Sequence, residues 1–202
     1  MFVNENAFRK PQARMQALGK DTRGTLLVNA KGRTIAHPQT GGMISPTRHS
    51  INRGITLYRF ASGNTSLERA ATGGWWVAQK EFEKMSNFAQ QHDVHVAMAA
   101  RMLCCVPPEW SDMGLLVRAR VNSPILAFRG LGNDVSVKHK DGGKVNMKAH
   151  NSTAARRLHQ LFIPGLVEYA GRTPEQVIPG ALTLERHWRI SERQANAGWI
   201  YI

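Results

Sequence analysis

Three short segments carry residues whose types could bind a ligand together. An arginine stands in Tyr58-Arg59-Phe60, two indoles in Gly73-Gly74-Trp75-Trp76, and a glutamine at the head of Gln160-Leu161-Phe162-Ile163-Pro164-Gly165. The planar fork of an arginine binds phosphate or pyrophosphate with two parallel hydrogen bonds. An indole offers a flat face on which another ring can stack. Together the segments predict a pocket for a flat, phosphorylated ligand.

Each segment also has a purely structural interpretation. Arg59 could lie on the solvent side of an edge strand, and the two tryptophans could pack behind a tight turn. Gln160 could be a capping or exposed side chain. The order and spacing of the three segments therefore carry the prediction, rather than any one of them alone.

The surrounding patterns predict the elements that must position these residues. β-Branched and aromatic residues predict strands over 55–61 and 73–78, with Arg59 on the face opposite to Tyr58. Apolar residues at helical spacing, among them Phe82, predict a helix over 79–91 directly after the second strand. Asp93 is the predicted N-cap of the next helix.

Later segments complete the predicted architecture. The mixed order of short strands and helices predicts an α+β fold with a mainly antiparallel sheet. The composition of residues 1–50 predicts a loosely built basic arm. Residues 51–202 are predicted to form a folded domain with a C-terminal extension. Further strands are predicted at 26–28, 34–36, 115–121, 125–128 and 161–163. A loop or loose hairpin is predicted at 134–150, and strand-like pieces follow in the tail.

The net charge of +13 is concentrated in two regions. Residues 1–50 contain eight basic and two acidic residues, and residues 137–160 contain six basic residues and one acidic residue. Such a basic stripe attracts polyanions, nucleic acid above all. The alternative is a basic surface that serves solubility only. Neither region has the strong apolar face of a membrane-surface helix, so no membrane partner is expected.

The sequence lacks the patterns of membrane-spanning, secreted and metal-binding proteins. No apolar run reaches the roughly 20 residues of a membrane span, and the N-terminal residues do not have the pattern of a secretory signal. The only cysteines, Cys104 and Cys105, are adjacent and predict two buried thiols in a reducing, cytoplasmic setting. The histidines His92 and His95 have no second pair at ligand spacing, so no metal is expected.

The three segments resemble the ADP-ribosyltransferase-like toxins. In that superfamily, a first strand carries an arginine or histidine that holds NAD, and a glycine-aromatic strand follows. A helix then supplies an aromatic residue that closes the nicotinamide pocket, and a late strand begins with a catalytic glutamate before apolar residues and often Pro-Gly. The resemblance covers roughly residues 55–166, and its motifs are short.

The resemblance implies a site with NAD as substrate and no metal. Arg59 and Gln160 occupy the catalytic positions. It also implies a split, mainly antiparallel sheet with flanking helices. The residues implied to contact NAD are Tyr58, Arg59, Phe60, Gly74, Trp75, Trp76 and Phe82.

Two residues depart from the family's pattern. Val77 stands where a serine or threonine usually follows the aromatic pair, and Gln160 stands at the position of the catalytic glutamate. Glutamine keeps the shape and one acceptor of glutamate but has no charge. Loss of general-base and electrostatic roles typically costs about 10²–10⁴-fold in rate. The chain is thus either a natural variant with unusual chemistry or an inactivated copy of a toxic enzyme, and the pattern slightly favours the second interpretation.

The resemblance also gives the basic segment a role. In this superfamily, the stretch before the catalytic strand contacts the acceptor, and here it is strongly basic. We therefore expect a nucleic-acid acceptor, RNA or DNA, modified on a base, with a protein acceptor as the alternative. A toxin of this kind also implies an antitoxin protein as partner. The residues expected to contact nucleic acid are Lys138, Lys140, Lys144, Lys148, Arg156 and Arg157.

Two further functions remain open on the sequence. The first is an NAD glycohydrolase or phosphorolase that depletes NAD without an acceptor. The second is a basic nucleic-acid-binding module without enzymatic activity, whose tryptophans stack on bases. Only the NAD-dependent functions require Arg59.

Overall fold

The computed structural model describes residues 1–20, 27–28, 30–31, 34–36, 41–139, 141–166 and 181–195. Within them, the α+β prediction with a mainly antiparallel sheet is confirmed. The elements are α1 Glu5–Phe8, α2 Pro11–Ala17, β1 Leu27–Val28, β2 Thr34–Ala36, β3 Met43–Ile51, β4 Thr56–Ala61, α3 Leu67–Ala71, β5 Trp75–Ala78, α4 Gln79–Gln91, α5 Val96–Leu103, β6 Leu115–Val121, β7 Ile125–Gly132, β8 Val135–Lys138, β9 Lys144–Met147, β10 His159–Phe162, β11 Leu182–Arg189 and α6 Glu192–Ala195.

In the described residues, seven strands form the main sheet in the order β11-β6-β4-β5-β10-β7-β3. Every neighbouring pair in this sheet is antiparallel. The pairs β1–β2 and β8–β9 form two small hairpins apart from it. The predicted strand pieces at 176–178 and 199–202 lie outside the described residues.

Helix α4 begins directly after β5, without an intervening loop. Its buried stripe consists of Glu81, Met85, Phe88 and Ala89, which recur at helical spacing. The predicted stripe consists of Phe82, Met85 and Ala89, and it shares Met85 and Ala89 with the observed one. Phe82 instead lies half-buried at the edge of the stripe, because the helix turns its Glu81 side toward the sheet.

Helix α5 starts later than predicted. Asp93 has a φ of 51°, in the left-handed region, and does not cap the helix. His95 is the N-cap instead, and its Nδ1 accepts a hydrogen bond from the Ala97 N–H at 3.2 Å. The buried faces of α4 and α5 share one apolar cluster, which includes Met85, Phe88 and Leu103 and covers Val77 of β5.

The N-terminal region differs from the expected loose arm. Residues 43–51 form the edge strand β3, which pairs with β7, so the predicted boundary at residue 50 falls inside a strand. Ala13 and Ala17 of α2 pack in a cluster with Phe128 and Phe162 of the sheet. Residues 1–20 and 41–50 are therefore part of the folded domain.

The side chain of Asn4 links the N-terminus to the sheet through hydrogen bonds. This side chain is buried, its Nδ2 donates to the carbonyls of Leu126 (2.7 Å) and Pro164 (3.0 Å), and its Oδ1 accepts from the Leu126 N–H (2.8 Å). Removing a side chain that satisfies several buried backbone groups leaves those groups without partners.

We therefore expect Asn4→Ala to lower the free energy of unfolding by about 2–4 kcal/mol. Each kcal/mol corresponds to a Tm decrease of about 2–4 °C in a chain of this size. Thermal unfolding followed by circular dichroism measures the effect. Asn6→Ala is the matched control, since Asn6 is exposed on the same helix. Equal Tm values for the two variants would contradict the role of Asn4.

Candidate functional site

The three segments singled out in the sequence lie on neighbouring strands at the centre of the sheet. Arg59 is on β4, Trp75 and Trp76 are on β5, and Gln160 is on β10, with β5 between the other two strands. Strands that are far apart in the chain are thus neighbours in the sheet.

The sheet opens on both sides of β5. The strand pairs with β4 through Val77 and Ala78, whereas it pairs with β10 through Trp75 and Trp76. Arg59 follows the last residue of β4 paired with β5, and Gln160 precedes the first residue of β10 paired with β5. Both residues therefore lie where the ladder of β5 changes partners, and the strand register places their side chains on opposite faces of the sheet.

Arg59 fills the opening between β4 and β5. Its Nη1 donates to the Trp75 carbonyl at 3.2 Å. This side-chain bond links β4 to β5 beyond Tyr58, where the backbone pairing of the two strands has ended. The guanidinium lies directly on Gly73, where an added Cβ would be 1.9 Å from Cζ and about 2 Å from both Nη atoms. Gly73 is thus the residue whose missing side chain makes room for the arginine.

The two tryptophans have different environments. Trp76 is 2% exposed, and its Nε1 donates to the Gly73 carbonyl at 2.6 Å. Its ring belongs to the core with Leu57, Val117 and Leu161, so the prediction that Trp76 stacks on a ligand is wrong. Trp75 is half-buried, with its ring 5.1 Å from that of Phe162.

The other predicted aromatic contacts of NAD cluster on one side of β4. The rings of Tyr58 and Phe82 are stacked, with centroids 4.0 Å apart and planes 6° from parallel. Phe60 lies 6.4 Å from Phe82, and all three side chains are half-buried. Gly74 supports the strand pairing, since its carbonyl accepts from the Ile163 N–H at 2.8 Å.

Gln160 is held in place through its amide. The side chain is 8% exposed, and its Nε2 donates to the Cys104 carbonyl at 3.2 Å. An added Cβ at Gly132 would lie 2.9 Å from the same Nε2. A carboxylate only accepts hydrogen bonds, so a charged glutamate at this position would face the Cys104 carbonyl without a donor.

The cysteine thiols beside Gln160 are not activated. Burial raises the pKa of Cys104 far above its usual range and raises the pKa of Cys105 to about 11. Both thiols are therefore protonated at neutral pH, whereas the thiolate is the reactive form. Cys105 is buried as predicted, whereas Cys104 is half-buried.

Glu81 is a candidate residue that the sequence analysis missed. It is 7% exposed, and its Oε2 accepts from Lys84 Nζ (3.0 Å) and from the His159 N–H (3.2 Å). Its Oε1 lies 3.7 Å from Arg129 Nη2 and 3.4 Å from His159 Nδ1. A buried carboxylate thus contacts the head of β10 at His159, the residue that precedes Gln160 in the chain. The only signal in the sequence is one acidic residue on the apolar stripe of α4.

Four histidines have lowered pKa values. Burial is the main cause at His49, His95, His150 and His159. At His159, the positive charge of Arg129 lowers the pKa further and outweighs the favourable effect of Glu81.

The unfolded chain therefore binds more protons than the folded one near the ordinary histidine pKa of 6.5. We expect the free energy of unfolding to fall as the pH is lowered from about 7.5 to about 5.5, a range in which carboxylates with lowered pKa stay ionised. Urea unfolding at several pH values measures this effect. A midpoint that stays constant or rises on acidification would contradict it.

The basic segment forms a hairpin and a turn before β10. Lys138 on β8 lies directly opposite Lys144 on β9, and both side chains are exposed. Like charges in directly opposed positions disfavour a hairpin unless an anion binds between them. Lys148 Nζ forms an ion pair with Asp134 at 2.7 Å. This carboxylate reduces the positive charge that Lys148 offers to a phosphate group.

The remaining predicted contacts with nucleic acid are dispersed. The Arg156 guanidinium lies 6.0 Å from the ring centroid of Phe88, and Arg157 Nε donates to the Asn151 carbonyl at 2.8 Å. Lys140 lies outside the described residues. The pair Lys138 and Lys144 is thus the clearest position for phosphate contacts in this segment.

The described residues also bear on metals and membranes. Among them, no three histidine, cysteine, aspartate or glutamate side chains come together as a metal site. None of the described helices is both long and apolar enough to cross a membrane.

Comparisons with known proteins give weak structural similarity only. No protein-family model matches the sequence, and no curated protein is significantly similar to it. Among solved structures, the fold is similar to a chain of "Rhs1-CT in complex with cognate immunity protein RhsI1", with 11% sequence identity and a TM-score of 0.41. The similarity covers 73% of this chain and 83% of that chain. At this level, it carries no conclusion about function.

Proposed function

We propose that this protein is a toxin-like, NAD-dependent mono-ADP-ribosyltransferase whose acceptor is nucleic acid. The observation that carries the proposal is the position of Arg59 and Gln160 on either side of β5, where the sheet opens. These two residues are the ones that the family resemblance assigns to NAD binding and catalysis.

In the proposed reaction, the bond between nicotinamide and ribose breaks, and nicotinamide leaves with its electron pair. A nucleophile of the acceptor then bonds to the ribose carbon and loses its proton to solvent or a base. Arg59 would bind the pyrophosphate, because the planar guanidinium presents its N–H donors as a fork that matches the oxygens of a phosphate group. The aromatic side chains of Tyr58, Phe60 and Phe82 would line the nicotinamide side of the site.

The proposal must account for the neutral side chain at position 160. The bond from Gln160 Nε2 to the Cys104 carbonyl shows that the local packing suits an amide. It supports a natural glutamine at this position more than an inactivating change. A neutral residue that stabilises positive charge less well implies slow turnover.

The proposed acceptor follows from the hairpin before β10. Lys138 and Lys144 face the same side of the β8–β9 hairpin, and no carboxylate among the described residues lies within ion-pair distance of either. Phosphate groups would relieve their mutual repulsion, and such contacts make binding depend on salt. An enzyme that damages nucleic acid in this way would require an antitoxin protein in the producing cell.

Titration of NAD against intrinsic tryptophan fluorescence tests the proposal. We expect saturable quenching, since the Trp75 backbone carbonyl accepts from the Arg59 guanidinium and the Trp75 side chain is only half-buried. Arg59→Ala should abolish the quenching, because it removes the fork that holds the pyrophosphate. Arg53→Ala, an exposed arginine in the turn before β4, is the matched control and should bind NAD normally. A lack of quenching in the unmodified protein would contradict NAD binding.

One observation favours a second candidate function, a nucleic-acid-binding module without catalysis. Trp76 is buried, and the Gln160 amide is engaged by the backbone, so two of the residues assigned to NAD chemistry have structural roles. Salt-dependent binding of nucleic acid without any NAD binding would select this function. Free ADP-ribose or its phosphate as the sole product would instead select NAD depletion.

A further inference from the structure

A second charged surface lies on the part of the sheet formed by β4, β6 and β11. In the strand register, Tyr58 is opposite Arg118, and Arg118 is opposite Arg186, so the three side chains share one face. Trp188 follows on the same face, opposite Leu116. We call this surface the Arg–aromatic face. Its members are Tyr58, Phe60, Arg118, Arg120, Arg186 and Trp188.

Among the described residues, the arginines of this face are only partly balanced by negative charge. Arg118 and Arg186 are directly opposed like charges, which disfavours the pairing of β6 with β11. A register shift between Leu184 and Arg186 places Glu185 beside Arg118 Nε (3.1 Å) and Arg120 Nε. One carboxylate among three guanidinium groups leaves an excess of positive charge, which favours an anionic partner.

The face also presents aromatic rings beside the charges. Trp188 is 42% exposed, although an indole gains free energy from burial. Tyr58 and Phe60 are half-buried at the opposite side of the face. An exposed indole beside arginines is a combination on which an unpaired base can stack while the backbone phosphates are neutralised.

We propose that the Arg–aromatic face binds single-stranded nucleic acid. Arg118, Arg120 and Arg186 bind backbone phosphates, and a base stacks on Trp188. The partner is a single strand rather than a duplex, because paired bases do not expose a face for stacking. An acidic protein would satisfy the arginines but has no bases to cover the indole. The proposal does not depend on ADP-ribosyl transfer and concerns a surface separate from the β8–β9 hairpin.

Fluorescence anisotropy with labelled oligothymidine and oligouridine, without NAD, tests the role of the indole. We expect Trp188→Leu to weaken binding about tenfold, the typical loss of one stacked base. Trp110→Leu is the matched control, since Trp110 is 43% exposed and lies in the loop after α5. It should bind as tightly as the unmodified protein. Circular dichroism and the Tm of each variant establish that it is folded.

The salt dependence tests the role of the arginines. We expect Arg186→Gln to reduce the slope of log K against log salt by about one. Arg53→Gln removes the same charge from an exposed turn and should leave the slope unchanged. Unchanged affinity of folded Trp188→Leu would overturn the proposal. Equal effects of Arg186→Gln and Arg53→Gln would also overturn it, because they would show unspecific attraction. Since NAD is absent, failure here does not bear on NAD binding.

Discussion

Gln160→Glu is expected to raise the rate of NAD consumption by about a hundredfold or more. The substitution restores a carboxylate at the position where the family resemblance places the catalytic one. A charge that stabilises the developing positive ribose is worth about 10²–10⁴-fold in rate. Release of nicotinamide, followed by chromatography, measures the effect.

The same substitution is expected to destabilise the fold. A carboxylate cannot donate to the Cys104 carbonyl, to which Gln160 Nε2 now donates at 3.2 Å. We expect a loss of about 1–3 kcal/mol in the free energy of unfolding, the usual penalty for an unsatisfied buried polar group. Gln160→Met is the control, since it loses the same hydrogen bond without adding a charge. A rate gain in both variants, or in neither, would contradict the role of the carboxylate.

Gly73→Ala is expected to abolish NAD binding while the protein stays folded. An alanine Cβ would lie about 2 Å from the guanidinium atoms of Arg59, far inside van der Waals contact. Because the guanidinium is the far end of a flexible side chain, we expect the Arg59 side chain to move away from the added methyl group. The backbone around Gly73 should keep its conformation. The NAD titration should then resemble that of Arg59→Ala, with a Kd increased at least about a hundredfold.

Gly63→Ala is the matched control for this prediction. Gly63 follows β4, and an added Cβ there would be 3.4 Å from the nearest atom, an ordinary contact. This variant should bind NAD as the unmodified protein does. Normal NAD binding by Gly73→Ala would show that Arg59 is not placed by the glycine or does not contact NAD.

The strands and helices around the site could be predicted because their patterns are local. The alternation in β6 and the apolar spacing in α4 each depend on a few consecutive residues. The edge strand β3 could not be predicted in this way. Only Met43, Pro46 and Ile51 are buried along its nine residues, so it shows no alternation.

The site itself was predicted only in part. Two consecutive tryptophans on a strand must face opposite sides, but the sequence does not say which one faces the core. The pairing of Trp76 with Leu161, more than 80 residues away, decides it. Glu81 was missed for a similar reason, because its partners Arg129 and His159 come from β7 and β10. Local patterns carry no information about such distant pairs.

The most direct test of the proposed function follows the label of NAD. Gln160→Glu and the unmodified protein are incubated with NAD labelled in its adenylate part, together with RNA, DNA and cell protein. We predict that the label enters nucleic acid, faster with Gln160→Glu, and that replacing both Lys138 and Lys144 by glutamine reduces it. Label in protein alone, or only in free ADP-ribose, would contradict the proposed acceptor, and no consumption of NAD by either protein would contradict the proposed enzyme.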